Sequence, residues 1–393
     1  MRRLVRSGVL VAAAGLVAVG PGFAGASPAG RTEWRLAAVV SSPSTNTVLY
    51  AVAAAGARHA WAAGTAYPGP GSALQPEPVV EAWDGSAWQP AGLPPFVQLH
   101  FPGLVDTVAA TVASGRPSVW AFAMSGALLH FDGANWTIGD ITGGQHLRLT
   151  VLASLAVGAN RVWAFGGTGT GPTFTPYAAR LGAGGWTRTP VPGRGMIVSA
   201  SAVPGRGIWA VLGTGLSGNG QTSRSGGLVH WHAGQWHQVS GLPAQLRTNS
   251  LGSVLARSDT NLWVGSALPN RKGGTTEAIG HWNGHRWTLT RLRAPAITGW
   301  YHIISIVPDG SVGLWALGYC EPGGQHVSWC PPQASRLWHE SGGQWTGPIV
   351  PKLAKRAAPL LSLAPAAKSV WAAGSIGISS SKGLIALSGP VPR

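Results

Sequence analysis

The chain has 393 residues and a formal net charge of +16, with 58 Gly, 30 Pro and 20 Trp but only 10% charged residues. So much glycine and proline with so little charge favours many short strands joined by turns and excludes a mainly helical protein. The 45% hydrophobic content excludes global disorder.

Residues 1–26 have the pattern of a secretory signal peptide. Three arginines among the first six residues precede an apolar stretch from Gly8 to Gly20, which is too short to span a bilayer. Ala24-Gly25-Ala26 supplies the small-residue cleavage site. We therefore predict a signal peptide at 1–26 and one folded domain at 27–393, in a protein that is secreted, either extracellular or associated with the cell wall.

The positive charge favours an anionic partner such as a wall polymer, an acidic polysaccharide, a lipid headgroup or nucleic acid. No block of consecutive Lys or Arg appears, and export argues against a genomic target, so no nucleic acid partner is predicted. No segment after the signal peptide is expected to span a membrane.

A Trp-anchored unit recurs seven times, and its first Trp returns every 43 to 59 residues. This is about the length of a four-stranded propeller blade with its loops. A second Trp usually follows an aromatic residue or Leu by five positions, with Asp-Gly or Asn-Gly between them as a hairpin signal. The first Trp residues are Trp61, Trp120, Trp163, Trp209, Trp263, Trp315 and Trp371.

Each unit is divided into strands a to d, from the propeller axis outwards. Small residues predominate on strand a, as expected where inner strands converge, and the Trp residues on b and d suit the wider gap between blades. The seventh unit supplies strands a to c but no d, whereas Thr32–Leu36 matches the d pattern near the start of the domain. We predict an all-β, seven-bladed β-propeller closed by the N-terminal strand in the last blade.

The motif V-W-A-x-G followed by H-W-D/N-G-x-x-W is clearest in Val162–Gly166 and in His281–Trp287. Across the mature chain it resembles bacterial secreted propeller repeats of the tectonin and kelch kind. The resemblance implies a propeller and, more loosely, binding of carbohydrate or lipid headgroups. Propellers host many unrelated activities, so the functional part of this expectation is an analogy.

Cys320 and Cys330 lie ten residues apart. In an exported protein such a pair predicts a disulfide that closes a loop. No metal site is predicted, since nothing else in the segment completes a ligand set, and no cofactor is expected.

The connections from b to c are long and dissimilar, and in a propeller they emerge on the same side as the connections from d to a. Variable loops on a rigid scaffold commonly carry function, so this long-loop face is the predicted binding face. The long loops are Thr65–Pro78, Gly167–Pro176, Gly213–Gly227, Ser266–Thr276 and Tyr319–Ser335.

Trp300 and Trp329 are the two Trp residues outside the repeat, and both are predicted to lie on the long-loop face. Aromatic rings beside polar groups suit stacking on a sugar face or covering an acyl chain. The candidate ligand-binding residues are Trp300, Tyr301, His302, Trp329, Arg336, Asp106 and Arg148.

Catalytic groups are sparse. A glycosidase needs two facing carboxyls, and Asp106 with Glu277 is the best pair that the sequence offers. His130, His230 and His281 share one position on strand c, which indicates a repeated structural contact, with a ring of ligands as the alternative. The chain lacks the common hydrolase and phosphate-loop motifs.

We therefore predict a monomeric, non-enzymatic binding module that recognises a glycan, an anionic envelope polymer or a protein on its long-loop face. The alternative is a secreted propeller enzyme, a hydrolase or lyase, acting at the mouth of the central channel through Asp106, Arg148 and His302.

Overall fold

The computed structural model contains seven four-stranded antiparallel sheets and confirms the seven-bladed propeller. It describes residues 33–41, 45–69, 75–100, 104–113, 115–143, 149–156, 161–169, 174–213, 227–249, 251–294, 300–321, 335–351, 353, 359–376 and 382–392.

The blades follow one another along the chain, each with its strands in the order a, b, c, d. Blade 1 comprises β2 (Thr45–Ala54), β3 (Ala60–Pro68), β4 (Glu77–Trp83) and β5 (Trp88–Pro90). Blade 2 comprises β6 (Val105–Ala113), β7 (Arg116–Ala123), β8 (Ala127–Phe131) and β9 (Trp136–Asp140). Blade 3 comprises β10 (Leu149–Ala156), β11 (Val162–Thr168), β12 (Thr175–Gly182) and β13 (Gly185–Thr189).

Blade 4 comprises β14 (Met196–Val203), β15 (Gly207–Gly213), β16 (Gly227–His232) and β17 (Gln235–Gln238). Blade 5 comprises β18 (Leu251–Ser258), β19 (Asn261–Pro269), β20 (Thr275–Trp282) and β21 (Trp287–Arg291). Blade 6 comprises β22 (Trp300–Pro308), β23 (Leu314–Glu321), β24 (Ser335–Ser341) and β25 (Gln344–Ile349). Blade 7 comprises β26 (Leu360–Ala366), β27 (Ser369–Ile376), β28 (Lys382–Ser388) and, as its outermost strand, β1 (Trp34–Val40).

Two short helices, α1 (Pro95–His100) and α2 (Ala244–Arg247), lie between blades 1 and 2 and between blades 4 and 5. No helix in the described ranges is long and apolar enough to cross a membrane.

The N-terminal strand closes the ring, as predicted. β1 pairs antiparallel with β28, from Trp34 opposite Ser388 to Val40 opposite Gly383. The strand runs further than the predicted Thr32–Leu36 segment, because its pairing continues to Val40. The Trp34 indole is 8% exposed and packs edge-on against Trp315 of blade 6, with ring centroids 5.3 Å apart. The head of the chain thus completes blade 7 and seals it against blade 6.

Each inner strand contains a β-bulge at the same place. The residue before the bulge is a buried branched aliphatic, and the residue after it is Ala, Ser or Thr. These small residues let neighbouring inner strands approach, and some of them bond across the gap. Ser362 Oγ accepts the Val52 backbone N–H at 3.2 Å, and Ser199 Oγ accepts that of Val254 at 3.2 Å. Small residues thus occupy the inner strands where these approach one another, as predicted.

In blades 1 and 3 the bulged strand comes close to the glycine that follows the strand-b Trp by three positions. A Cβ on Gly64 would collide with the Val48 carbonyl, and one on Gly166 with the Thr150 carbonyl. These two blades therefore need glycine here, whereas other blades hold larger residues at this position, namely Ala123, Leu212 and Ser266 in blades 2, 4 and 5.

The predicted turns between strands c and d are built around one carboxyl or amide oxygen. Oδ1 of Asp84, Asp132 and Asn283 each accepts two backbone N–H groups two and three residues ahead, at 2.7 to 3.0 Å. The glycine that follows each has φ between +91° and +97°, which favours glycine on steric grounds.

The predicted long loop Ser266–Thr276 is largely a hairpin instead. β19 continues to Pro269 and β20 begins at Thr275, so only five residues form the turn. Asn270 stabilises it, because its Oδ1 accepts the backbone N–H groups of Lys272 and Gly274. The polar sequence suggested a loop, but the side-chain oxygen of Asn270 allows strand pairing to extend.

We expect Trp34→Ala to lower the free energy of unfolding by about 3–5 kcal/mol, because it removes a buried indole from the closing strand. Denaturant unfolding measures the loss, with Trp345→Ala as the matched control. Trp345 occupies the same outer strand of blade 6 but is only half-buried. An equal loss in both variants would contradict a special role of β1 in closure.

Candidate functional site

The structure locates five of the seven candidate ligand-binding residues in strands. Trp300, Tyr301 and His302 begin β22, Asp106 lies in β6, and Arg336 lies in β24. Arg148, Trp329 and the side chain of Trp300 lie outside the described part of the structure, so their roles stay predictions.

The bulge residues form one layer around the central channel, because the seven inner strands contact one another in a closed ring. All seven are half-buried. Five are apolar or glycine, so the polar side chains of Tyr50 and Asp106 stand out. The bulge residues of blades 1 to 7 are Tyr50, Asp106, Leu152, Val198, Gly252, Ile304 and Leu361.

Tyr50 and Asp106 belong to a polar cluster at the long-loop end of the channel. The Tyr50 hydroxyl is 2.7 Å from the Tyr67 hydroxyl at the far end of β3. Burial raises the pKa of Tyr50, and Tyr67, Asp106 and Tyr319 of blade 6 add to the effect. Groups from three blades therefore meet near this ring. We call Tyr50, Tyr67, Asp106 and Tyr319 the channel-mouth cluster.

The Asp106 carboxyl is the chemically unusual group of this cluster. Burial raises its pKa from 3.8 to about 6, although the Met124 backbone N–H donates to Oδ2 at 3.1 Å and opposes the shift. Asp106 is therefore partly protonated close to neutral pH and can both donate and accept hydrogen bonds.

His302 is placed next to the same end of the channel. It is half-buried, pairs across the sheet with Tyr319, and lies against the bulge of the preceding blade. A Cβ on Gly252 would collide with the Ile303 carbonyl oxygen and would lie 3.3 Å from His302 Cδ2. Glycine at the blade 5 bulge thus allows the backbone of β22 to approach, with the imidazole beside it.

Arg336 and Tyr301 take part in a buried contact between blades 5 and 6. Arg336 Nη1 lies 3.4 Å from Glu277 Oε2, and its guanidinium stacks 3.8 Å from the centre of the fully buried Tyr301 ring. Burial raises the pKa of Glu277, and the Arg336 charge opposes that shift. A ligand-binding role for Arg336 and Tyr301 stays a prediction, but the geometry gives both a structural task. Glu277 is fully buried, so it does not offer an open second carboxyl to Asp106.

The recurring strand-c histidines contact the strand-b tryptophans, which supports the predicted structural contact. Centroid distances are 4.0 to 4.8 Å in four blades, and the rings are stacked in three of them and tilted in blade 6. No group of three or more His, Cys, Asp or Glu among the described residues could hold a metal ion. The pairs are Trp120 with His130, Trp209 with His230, Trp263 with His281 and Trp315 with His339.

A cavity of about 560 Å³ between blades 4 and 5 was not predicted from the sequence. Its walls include the Trp209–His230 stack, Asp259 from the short turn of blade 5, and the half-buried Trp282 and Trp287. Trp209 Nε1 donates to Asp259 Oδ1 at 3.3 Å across the blade junction. The nearest sequence signal is a glycine in blade 4 where blades 2 and 5 carry a polar partner for the histidine, but blade 6 shares that glycine.

Cys320 lies fully buried in β23, and Cys330 falls outside the described residues. The disulfide between them therefore stays a prediction, as does the signal peptide at 1–26.

No protein-family model matches the chain, and no curated protein matches it. Solved structures show the fold. The structure described as "YCF48 bound to D1 peptide" is 15% identical, with a TM-score of 0.56 over 91% of this chain and 97% of that one. YCF48 from Cyanidioschyzon merolae is 16% identical, with a TM-score of 0.54 over 91% and 99%. Chaetomium thermophilum Sqt1 bound to the N-terminus of ribosomal protein L10 is 12% identical, with a TM-score of 0.50 over 86% and 96%. At these identities the likeness establishes the propeller and nothing finer.

We expect Arg336→Ala to destabilise the protein by roughly 3–5 kcal/mol, because it leaves the buried Glu277 carboxylate without a partner. The variant should regain stability as the pH is lowered. Burial raises the pKa of Glu277, so the folded state favours the neutral carboxyl. The stability is therefore lost as pH rises through that pKa. Denaturant titrations at several pH values measure both effects. A second variant, Arg336→Met with Glu277→Leu, should recover much of the loss; failure of the double variant to improve on Arg336→Ala would refute the ion-pair explanation.

We expect Asp106→Asn to remove a pH dependence of stability. Because the folded pKa of about 6 exceeds the ordinary 3.8, folding favours the neutral acid. Its contribution is full below pH 4 and is lost as pH rises through 6. The melting temperature of the wild type should therefore fall relative to Asp106→Asn between pH 4 and 7. Asp140→Asn, at an exposed carboxyl, serves as control. Parallel curves for wild type and Asp106→Asn would contradict the shift.

Proposed function

We propose that the chain is an exported, non-enzymatic recognition module that binds a segment of another protein at the mouth of its central channel. The observation that carries the proposal is the channel-mouth cluster, with a partly buried carboxyl and tyrosine hydroxyls set in an otherwise apolar layer. Propellers of similar shape include proteins that bind peptides or protein segments, and binding at this face fits that use of the fold.

The chemistry of the cluster favours a ligand with hydrogen-bond donors. Asp106 accepts from such donors when it is ionised, and the Tyr50–Tyr67 pair offers a further donor and acceptor. The neighbouring Leu152, Val198 and Ile304 side chains suit the apolar parts of a peptide. A carboxylate at the entrance disfavours the anionic envelope polymer, which the net charge of +16 alone would attract.

Two of the similar propellers were solved with protein segments, YCF48 with a D1 peptide and Sqt1 with the N-terminus of ribosomal protein L10. They support peptide binding as a use of this fold, and the contacts proposed for this chain rest on its own residues. Arg148, His302, Trp300 and Trp329 would extend the surface around the channel-mouth cluster.

The sequence supports the remaining parts of the proposal. The signal-peptide pattern at 1–26 supports export, and export in turn supports a disulfide between Cys320 and Cys330. The tectonin and kelch resemblance supports a glycan as the alternative ligand at the same face.

One observation favours the enzyme alternative as a second candidate. An acid with a pKa of about 6 at a channel mouth is suited to general acid or base catalysis near neutral pH. A turnover screen on generic glycosides and lactones tests it, because activity that disappears in Asp106→Asn would replace the binding proposal.

Parallel peptide and glycan arrays test the binding proposal, followed by titration of the strongest hit. We expect peptide hits whose affinity falls at least about tenfold in the double variant Tyr50→Phe/Asp106→Asn, since a hydrogen bond to a charged group contributes about 1.5–3 kcal/mol. Asp140→Asn should leave the affinity unchanged. Hits confined to glycans, or peptide affinity untouched by the double variant, would overturn the proposal.

A further inference from the structure

Three features of the cavity between blades 4 and 5 bear on what it can bind. Two of them concern polar groups and one concerns aromatic surface. All three occur at one junction, close to the short-turn face and away from the channel-mouth cluster.

The first feature is the ring nitrogen of His230. In blade 2 the stacked His130 bonds to Ser118 Oγ at 3.0 Å, and in blade 5 His281 bonds to Asn261 Oδ1 at 2.9 Å. Blades 4 and 6 have glycine at the matching position, but in blade 6 Asp309 Oδ2 lies 3.0 Å from His339 Nε2 instead. His230 Nε2 has no hydrogen bond from any described residue, although it is buried.

The second feature is the carboxylate that blade 5 places in the gap. Asp259 lies in the short turn between β18 and β19, with Oδ1 3.8 Å from His230 Nε2 and Oδ2 3.6 Å from the Arg206 guanidinium. The Asp259 side chain is still 33% exposed, and that of Arg206 is 68% exposed. Both therefore retain hydrogen-bonding capacity towards the cavity.

The third feature is the outer wall. In blades 2 and 4 the strand-d Trp is buried and bonds to the preceding blade, as Trp136 Nε1 does to the Ala91 carbonyl at 3.2 Å and Trp236 Nε1 to Thr189 Oγ1 at 3.0 Å. In blade 5 the matching Trp287 is half-buried, as are the strand-d Trp residues of blades 3 and 6. Trp287 lines the cavity together with Trp282.

We propose that this cavity binds a pyranose sugar, with the C–H face of the ring against the Trp282 and Trp287 indoles and its hydroxyls on Asp259 and Arg206. A sugar hydroxyl can donate to a carboxylate and accept from a guanidinium at the same time, which matches the Asp259–Arg206 pair. The remaining wall is indole, which suits the C–H groups of the ring.

Other ligand classes fit the cavity less well. An anion would meet the Asp259 carboxylate, and a wholly apolar ligand would strip water from Asp259 and Arg206 without replacing its hydrogen bonds. The volume of about 560 Å³ lies within the usual range of roughly 300–1,000 Å³ for small-molecule sites. Burial lowers the pKa of His230, so the imidazole in this wall is neutral near pH 7.

The test titrates the full mature chain with methyl pyranosides of glucose, galactose, mannose, fucose and N-acetylglucosamine. Intrinsic tryptophan fluorescence and saturation-transfer NMR report binding. We expect saturable binding of at least one pyranoside, weakened at least about tenfold in Asp259→Asn and in Trp287→Leu. Oligosaccharides of the best sugar distinguish a single ring from a polymer segment as the ligand.

Matched variants separate binding from folding. Trp345→Leu changes the half-buried strand-d Trp of blade 6, and Arg161→Ala changes an exposed arginine immediately before strand b of blade 3, one position from the equivalent of Arg206. Both should leave sugar affinity unchanged, whereas Arg206→Ala, at an exposed side chain, should reduce it without altering the melting temperature. The double variant Tyr50→Phe/Asp106→Asn should retain sugar binding, which distinguishes this site from the channel mouth.

Three results would overturn the proposal. The first is that no methyl pyranoside gives saturable binding. The second is that the sugar affinity is unchanged in Arg206→Ala and Trp287→Leu. The third is an equal loss in Trp345→Leu, which would trace the effect to general destabilisation of the propeller.

Discussion

The close approach of seven sheets to one axis is the constraint on which the rest of the structure depends. It selects Ala, Ser and Thr after the bulge of each inner strand and, in some blades, glycine beside the bulge, as at Gly64 and Gly166. The bulge in turn presents one half-buried side chain per blade around the channel. The packing requirement therefore also creates the layer in which Tyr50 and Asp106 lie, so the site is a local use of a feature that every blade needs.

Where the chain closes, apolar packing takes precedence over hydrogen bonding. Trp83 and Trp88 of blade 1 pack against Trp371 of blade 7 with centroids 5.0 to 5.1 Å apart. Among the described residues, six tryptophans have a buried indole N–H without a partner, and all belong to blades 6, 7 and 1. Each such group is unfavourable by about 1–3 kcal/mol, which burial of roughly 150–250 Å² of indole surface offsets. The six are Trp34, Trp83, Trp88, Trp315, Trp338 and Trp371.

The sequence predicts what repeats and little of what breaks the repeat. Blade number, ring closure through Trp34 and the Asp-Gly turns follow from spacing and local chemistry, because each recurs or is complete within a few residues. The bulges could not be predicted, since they are set by pairing between strands, and the branched aliphatic and small residues that flank them also occur in regular strands. The residues of the channel-mouth cluster come from three blades, so the environment of Asp106 emerges only in the folded ring. Gly207 is visible when the units are aligned, but blade 6 has Gly313 at the same position and a paired His339, so glycine alone does not predict an unpaired His230.

The position of β1 imposes an order on assembly of the ring. Its partner, β28, is the last strand of the propeller, so the first strand waits for all the others to be synthesised before it can pair. Until then blade 7 lacks its outer strand and an open sheet edge remains, which is a surface prone to mispairing with other chains. The closing contact is also the one most distant in sequence, a topology associated with slow folding. The ring therefore closes only after β28 has been made, so no shorter nascent chain can complete the fold.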